Sequence, residues 1–192
     1  MIALVPFGRV DGWLVERIER LAAKFFFNLS VFDSVPAPSS AYDHARRQYN
    51  ASELLLTLRN LACSRGFQKV LGITSEDLYY GSSLFVFGCA EFGGTSAVIS
   101  TCRLKAESEG LFASRVFKEV LHELGHLFGL EHCMNDCVMT FCERLDQIDV
   151  KKASYCSECL EKLTKAIENV RQTSRAHSGT PQSRDIWCTS SR

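Results

Sequence analysis

The chain has 192 residues, 46% hydrophobic and 23% charged, the composition of one soluble globular domain and not of a disordered or membrane-spanning chain. Twenty-two Lys and Arg balance twenty-two Asp and Glu, so no net field draws it to nucleic acid or to an anionic membrane surface. The opening MIALVPFGRVDGW lacks a basic stretch and a small-residue cleavage site, so it is expected to be a strand and not a signal peptide, in a cytoplasmic protein. Nine cysteines in such a chain argue for metal ligands or reactive thiols before disulfides.

In chain order, residues 2–7 (IALVPF) are expected as a first strand and residues 13–26 as a helix, with Leu14, Ile18, Leu21 and Phe25 inward. Residues 29–35 give a second strand, closed by Pro36 and Pro38, and residues 43–63 a second helix on Leu54, Leu55, Leu58 and Leu61. Strands follow at 69–74, 83–90 and 96–104, the last two joined across Gly93 and Gly94. Five strands interleaved with helices imply an α/β layer structure. A third helix spans 111–130 with Phe117, Leu121, Leu124 and Phe128 on one stripe, and Gly129 is its expected stop. A last helix covers 157–171. The organisation expected is residues 1–132 as a larger N-terminal part, 133–171 as a small metal-stapled subdomain, and 172–192, rich in Ser, Arg and Thr, as a mobile tail.

The strongest signal is His122-Glu123-Leu124-Gly125-His126-Leu127-Phe128-Gly129-Leu130-Glu131-His132. Histidines at i and i+4 stand about one turn apart, about 6 Å along the axis, on one helix face, so both imidazoles reach one ion, and zinc is the natural occupant. The apolar stripe points away from them, which leaves the ligands looking out of the core. A left-handed Gly129 lets the chain turn back and deliver His132 as third ligand. Three neutral imidazoles leave a fourth position for water, whose pKa on such a site falls to about 7, and Glu123 is the base that takes its proton. As a coincidence in an ordinary helix, these five positions would recur on the order of once in 100,000 such chains.

Cys133, Cys137, Cys156 and Cys159 form a second constellation, in which Cys156-Ser157-Glu158-Cys159 has the spacing of a thiolate knuckle. Four thiolates make a closed site, so this zinc is expected to be structural. Cys142 is close enough to Cys137 to rival Cys133 as a ligand, with Cys133 preferred. Cys63, Cys89 and Cys102 fall in helix or strand patterns and read as small core residues, and nothing is assigned to Cys188. Met139, seven residues after His132, stands where an extended HExxHxxGxxH signature calls for a methionine turn beneath the imidazoles.

HELGHLFGLEHC (122–133), Cys137-Val138-Met139 and the Cys156–Cys159 pair resemble the archaemetzincins, a metzincin-type zinc peptidase family. Looser similarity covers most of residues 1–105, including LGIT, DLY, FVFG and AVIS. The Cys133–Cys137 gap has three residues where the family usually has four, and Cys142 stands where Ser is common. The resemblance implies a catalytic zinc on His122, His126 and His132, a base at Glu123, a methionine turn at Met139 and a second zinc on four cysteines. It also implies a mixed five-stranded sheet, α+β in the metzincin manner, whose antiparallel edge strand at 83–90 borders the substrate cleft. An extended peptide can add itself to such an edge. The expected activity is therefore zinc-dependent hydrolysis of peptide bonds in peptide or protein substrates. The alternative is a two-zinc binding module without turnover, which needs the histidines but not Glu123.

Overall fold

The computed structural model describes residues 1–173 and 185–191. Among them, strands β1 (Ile2–Phe7), β2 (Leu29–Val31), β3 (Tyr42–Asp43), β4 (Gln48–Asn50), β5 (Lys69–Thr74), β6 (Leu78–Tyr79), β7 (Phe85–Glu91), β8 (Ser96–Ser100) and β9 (Ile186–Ser191) form one mixed sheet. Helices are α1 (Gly12–Ala22), α2 (Ala51–Arg65), α3 (Glu109–Leu127), α4 (Leu145–Val150) and α5 (Ser157–Thr173). No helix among the described residues is long and apolar enough to cross a membrane.

The five strands expected from sequence make the spine, in the order β2-β1-β5-β8-β7. The first four run parallel and β7 runs antiparallel to β8, because the short Gly93–Gly94 connection between them permits no crossover. β1 and β5 are buried along their whole length, as befits strands covered on both faces. On one face Leu54, Leu55 and Leu58 of α2 pack against Val70, Val86 and Val98. On the other, α1 and α3 share a core with Cys137, Val138, Met139, Tyr155 and Leu163, so residues on both sides of position 133 pack together.

Several boundaries move for local reasons. α1 stops at Ala22 and passes through a 3-10 turn to Phe26, whose φ of +67° reverses the chain. The second helix begins at Ala51 instead of 43, because Asp43 Oδ1 accepts hydrogen bonds from Ala45 N and Arg46 N and opens a turn. That turn joins β3 to β4, and Asn50 then caps α2 by accepting from Ser52 N. The strand read over 29–35 shrinks to β2 plus a single bridge between Phe7 and Val35.

The largest departure is at the end of the chain. Residues 186–191, read as part of a mobile tail, form β9, which pairs antiparallel with β7 from Phe85 to Glu91. Residues 174–184 of that expected tail lie outside the described residues. Val86 pairs with Leu78 of β6 on one side and with Ser190 of β9 on the other. β7 is therefore not the edge strand that the resemblance implied: the chain itself covers that edge. Cys188 of β9 is disulfide-bonded to Cys89 of β7, which corrects the reading of Cys89 as an unpaired core thiol. Cys63 is exposed and Cys102 half-buried, so neither is the core residue expected.

Candidate active site and metal centres

α3 presents most of the site. Ser108 caps it by accepting from Leu111 N, with Glu109 in the first turn beside the positive end of the helix dipole. From Arg115 to Leu127 every residue is buried, because β7, β8, α1 and the segment 133–155 cover all sides. The histidines therefore do not look out of the core as the stripe suggested: His122 and His126 are wholly buried, and His132 is partly exposed.

Gly129 ends the helix as expected, at φ +85°. Its N–H donates to His126 O at 2.8 Å and Leu130 N–H donates to Gly125 O at 2.9 Å, the paired bonds of a Schellman turn. The reversed chain then brings His132 over the helix. Nε2 of His126 lies 2.9 Å from Nε2 of His122 and 3.2 Å from Nε2 of His132.

Protonation argues that a cation belongs between these rings. His122 Nδ1 lies 2.8 Å from Val138 O and His126 Nδ1 2.7 Å from Leu130 O, so each Nδ1 carries hydrogen and donates to a carbonyl. Burial, with repulsion from Lys151 and the neighbouring imidazoles, holds His122 neutral and brings the pKa of His126 down to about 3. Burial also lowers that of His132. The Nε2 atoms of His122 and His126 then both bear lone pairs, and two acceptors at 2.9 Å are stable only with a positive ion bound to both. Tetrahedral ligands at zinc–nitrogen distances of about 2.0–2.1 Å stand about 3.3–3.4 Å apart, a few tenths beyond the spacing seen. Three neutral imidazoles thus fit zinc.

Glu123 is wholly buried beside β7, and Gly88 makes the room for it: a Cβ there would come 2.7 Å from both Cγ and Oε1 of Glu123. Burial, then the neighbouring Glu119, raise its pKa well above the carboxylate range. Its Oε1 lies 2.8 Å from Thr189 Oγ1, which is also 3.0 Å from Glu119 Oε2. Oε2 of Glu123 has no hydrogen-bond partner among the described residues. Glu119 in turn accepts from Lys151 Nζ at 2.8 Å in a fully enclosed ion pair.

Beneath the histidines, Val138 and Met139 occupy a turn closed by Thr140 N donating to Cys137 O at 3.1 Å. Met139 packs so close to the α3 backbone that a Cβ on Gly125 would overlap its sulfur. Tyr155 donates to Leu121 O at 2.5 Å and lies beside Met139 against the same face of the helix at Gly125. Cys133 N donates to Met139 O, so the turn also leads into the thiol group.

Cys133, Cys137, Cys156 and Cys159 come together with their sulfurs within 4.8 Å of one another. Sγ of Cys133 and Cys156 are 3.8 Å apart, and sulfurs at the corners of a tetrahedron with zinc–sulfur distances of about 2.3 Å stand about 3.8 Å apart. Cys137 Sγ accepts from the backbone N–H of Met139 and of Cys156. The backbone N–H of Cys159 is the main cause that lowers Cys156 to about 7, whereas burial raises Cys137 and Cys159. Cys142 is not in this group. It is buried near Lys151 and Lys118 and donates to Thr140 O. The histidine and cysteine groups are consistent with two zinc ions.

Sequence reasoning picked out the three histidines, the four cysteines and Glu123, which the fold brings together, but not what surrounds them. Gly88, Glu119, Lys151 and Tyr155 belong to no motif. Trp187 and Thr189, placed in the expected tail, lie on the site: the Trp187 ring centroid is 5.4 Å from that of His126 and 5.2 Å from that of His132. Their alternation with Ile186 and Cys188 at period two was the one available signal. A cavity of about 480 Å³ opens beside His132, bordered by Phe92, Leu130, Asn135 and Lys162.

The model of peptidase family M54 matches residues 21–165 of the chain. An archaemetzincin of Haloquadratum walsbyi is 36% identical over 170 residues, 83% of this chain and 96% of the relative. The crystal structure of the archaemetzincin of Methanopyrus kandleri superposes with a TM-score of 0.78 at 39% identity, covering 87% of this chain and 94% of that one. The Archaeoglobus fulgidus archaemetzincin gives 0.75 at 37%, over 84% and 98%. With its mixed sheet, its histidine triad and its four gathered cysteines, the chain belongs to the M54 peptidases, the archaemetzincin family of zinc metallopeptidases.

Proposed function

We propose that this chain hydrolyses peptide bonds at a zinc held by His122, His126 and His132, with Glu123 as general base, and that Cys133, Cys137, Cys156 and Cys159 hold a second, structural zinc. The reading is supported chiefly by one observation. Trp187 and Thr189, two residues apart on one face of β9, touch the histidines and Glu123 respectively, so ligands and base line one site.

Zinc bound there supplies Lewis acidity, polarising a carbonyl oxygen and acidifying water. The carboxyl of Glu123 takes the proton of the attacking water and gives it to the leaving amine. Burial beside Glu119 raises the pKa of this carboxyl, which strengthens it as a proton acceptor. Gly88 fixes where that carboxylate stands, and the carbonyls of Val138 and Leu130 fix which nitrogen each imidazole presents. Cys133 and Cys137 lead into the turn bearing Met139 and Cys156 and Cys159 open α5, so a zinc held by the four would tie the two together and its binding energy would contribute to folding.

The test combines metal analysis with a peptide-library assay on wild type and Glu123→Gln. Two zinc ions per chain are expected in both, with hydrolysis reduced roughly 100-fold or more in the variant, the usual scale for a general base. Undiminished turnover by Glu123→Gln removes the mechanism.

A further inference from the structure

We infer that Asp185–Ser191 is a built-in occupant of the substrate-binding edge, a pseudosubstrate that keeps the site closed while Cys188 is bonded to Cys89 and leaves it when that disulfide is reduced. This rests on the peptidase reading above and adds its regulation.

The segment does three things that an extended peptide substrate would have to do. It runs antiparallel along the whole of β7, using the backbone groups with which a peptide would pair. It lays the Trp187 ring over His126 and His132, with Phe92 behind it at 5.2 Å between centroids. It places the wholly buried Thr189 hydroxyl on Oε1 of Glu123. Thr189 faces Gly88 in the register, the residue whose missing side chain admits the Glu123 carboxyl. No peptide can pair with β7 in this arrangement, and the proposed base is engaged by the segment itself. The family match ends at residue 165, so β9 lies outside what the family model describes.

The strand alternates as a gate would require. Ile186 and Cys188 face the α2 side of the sheet, packing with the cluster of Val86, Cys89 and Leu54, whereas Trp187 and Thr189 face α3. The Cys89–Cys188 bond joins residues directly opposite in the register, 99 positions apart in sequence. It therefore pins the inhibitory face without sharing it. Cys89 is wholly buried and Cys188 partly exposed, so attack falls on Cys188.

The release step is thiol–disulfide exchange with a dithiol reductant. One reductant thiolate attacks Cys188 Sγ, the Cys89–Cys188 bond breaks, and Cys89 leaves as a thiolate that takes up a proton. The second reductant thiolate attacks the mixed disulfide and releases Cys188, which is protonated in turn. Two electrons pass to the protein, and the reductant ends as its own disulfide. The freed segment stays tethered, at an effective concentration of order millimolar, and competes with substrate instead of excluding it.

The experiment uses the full, zinc-loaded chain in three forms: air-oxidised wild type, dithiothreitol-reduced wild type, and Cys188→Ser. Intact mass reports the bond, hydrogen exchange reports β7 and β9, and a fluorogenic peptide library reports turnover. Expected are a mass 2 Da lower in the oxidised form, faster exchange in both strands after reduction or in Cys188→Ser, and peptidase activity at least about tenfold higher in those two forms. Adding Trp187→Ala and Thr189→Val to Cys188→Ser raises activity further, because the tethered strand still competes through those two side chains. Equal activity in oxidised wild type and Cys188→Ser overturns the inference, as does free exchange of β9 with the disulfide intact, or free thiols at Cys89 and Cys188 in air-oxidised protein. If no form turns over while exchange still opens on reduction, the peptidase reading fails and the latch stands.

Discussion

Gly88→Ala tests whether Glu123 works from the position the fold gives it. The new methyl would come 2.7 Å from Cγ and Oε1 of Glu123 and 2.9 Å from Cδ, whereas non-bonded atoms settle at about 3.5–4.0 Å, so the carboxyl must move by about 1 Å. The α3 backbone is held by the carbonyl contacts of His122 and His126 and by Tyr155, which leaves the Glu123 side chain to yield. A shift of that size costs on the order of 100-fold in rate, about 2.7 kcal/mol in the barrier. Overpacking costs about 1–3 kcal/mol of stability, partly offset by the lower chain entropy of alanine in a strand. In a Cys188→Ser background, where the disulfide no longer holds β9 on the site, kcat/KM on a peptide substrate should fall about 100-fold relative to Cys188→Ser alone, with zinc content unchanged and Tm lowered by a few degrees. Full activity would refute the assigned role of Glu123, and activity lost together with the zinc would show that the methyl moves the ligands instead of the base.

Cys156→Ser or Cys159→Ser should lose one zinc and unfold the segment after His132. Cys142→Ser should keep both ions and cost only about 1–3 kcal/mol, as measured by metal analysis and denaturant titration. The reverse result would make Cys142 a ligand. The buried, neutral His126 has its pKa lowered by burial from 6.5 to about 3, so the unfolded chain binds a proton that the folded chain does not. Stability, measured with the histidine site stripped of metal, is therefore complete above about pH 6.5 and declines as pH falls toward 3. His126→Gln should flatten that slope, and an unchanged slope would locate the acid sensitivity elsewhere.

The histidine and cysteine groups were legible because their geometry is local. Histidines four apart on a helix must share a face, Gly129 must reverse the chain, and cysteines three apart can bite one ion, whatever the rest of the fold does. The five spine strands were legible for a similar reason, since β-branched runs between turn residues pair somewhere. Which neighbours those strands take is another matter. That Glu123 rests in the hollow of Gly88, that Lys151 neutralises Glu119 thirty-two residues away, and that Cys89 meets Cys188 across 99 positions all depend on where distant segments are brought by the core. The short alternation Ile186-Trp187-Cys188-Thr189 carries too little apolar surface to announce a strand alone. Only the open edge of β7 supplied the backbone partners, the disulfide and the buried contacts that outweigh the entropy of fixing it.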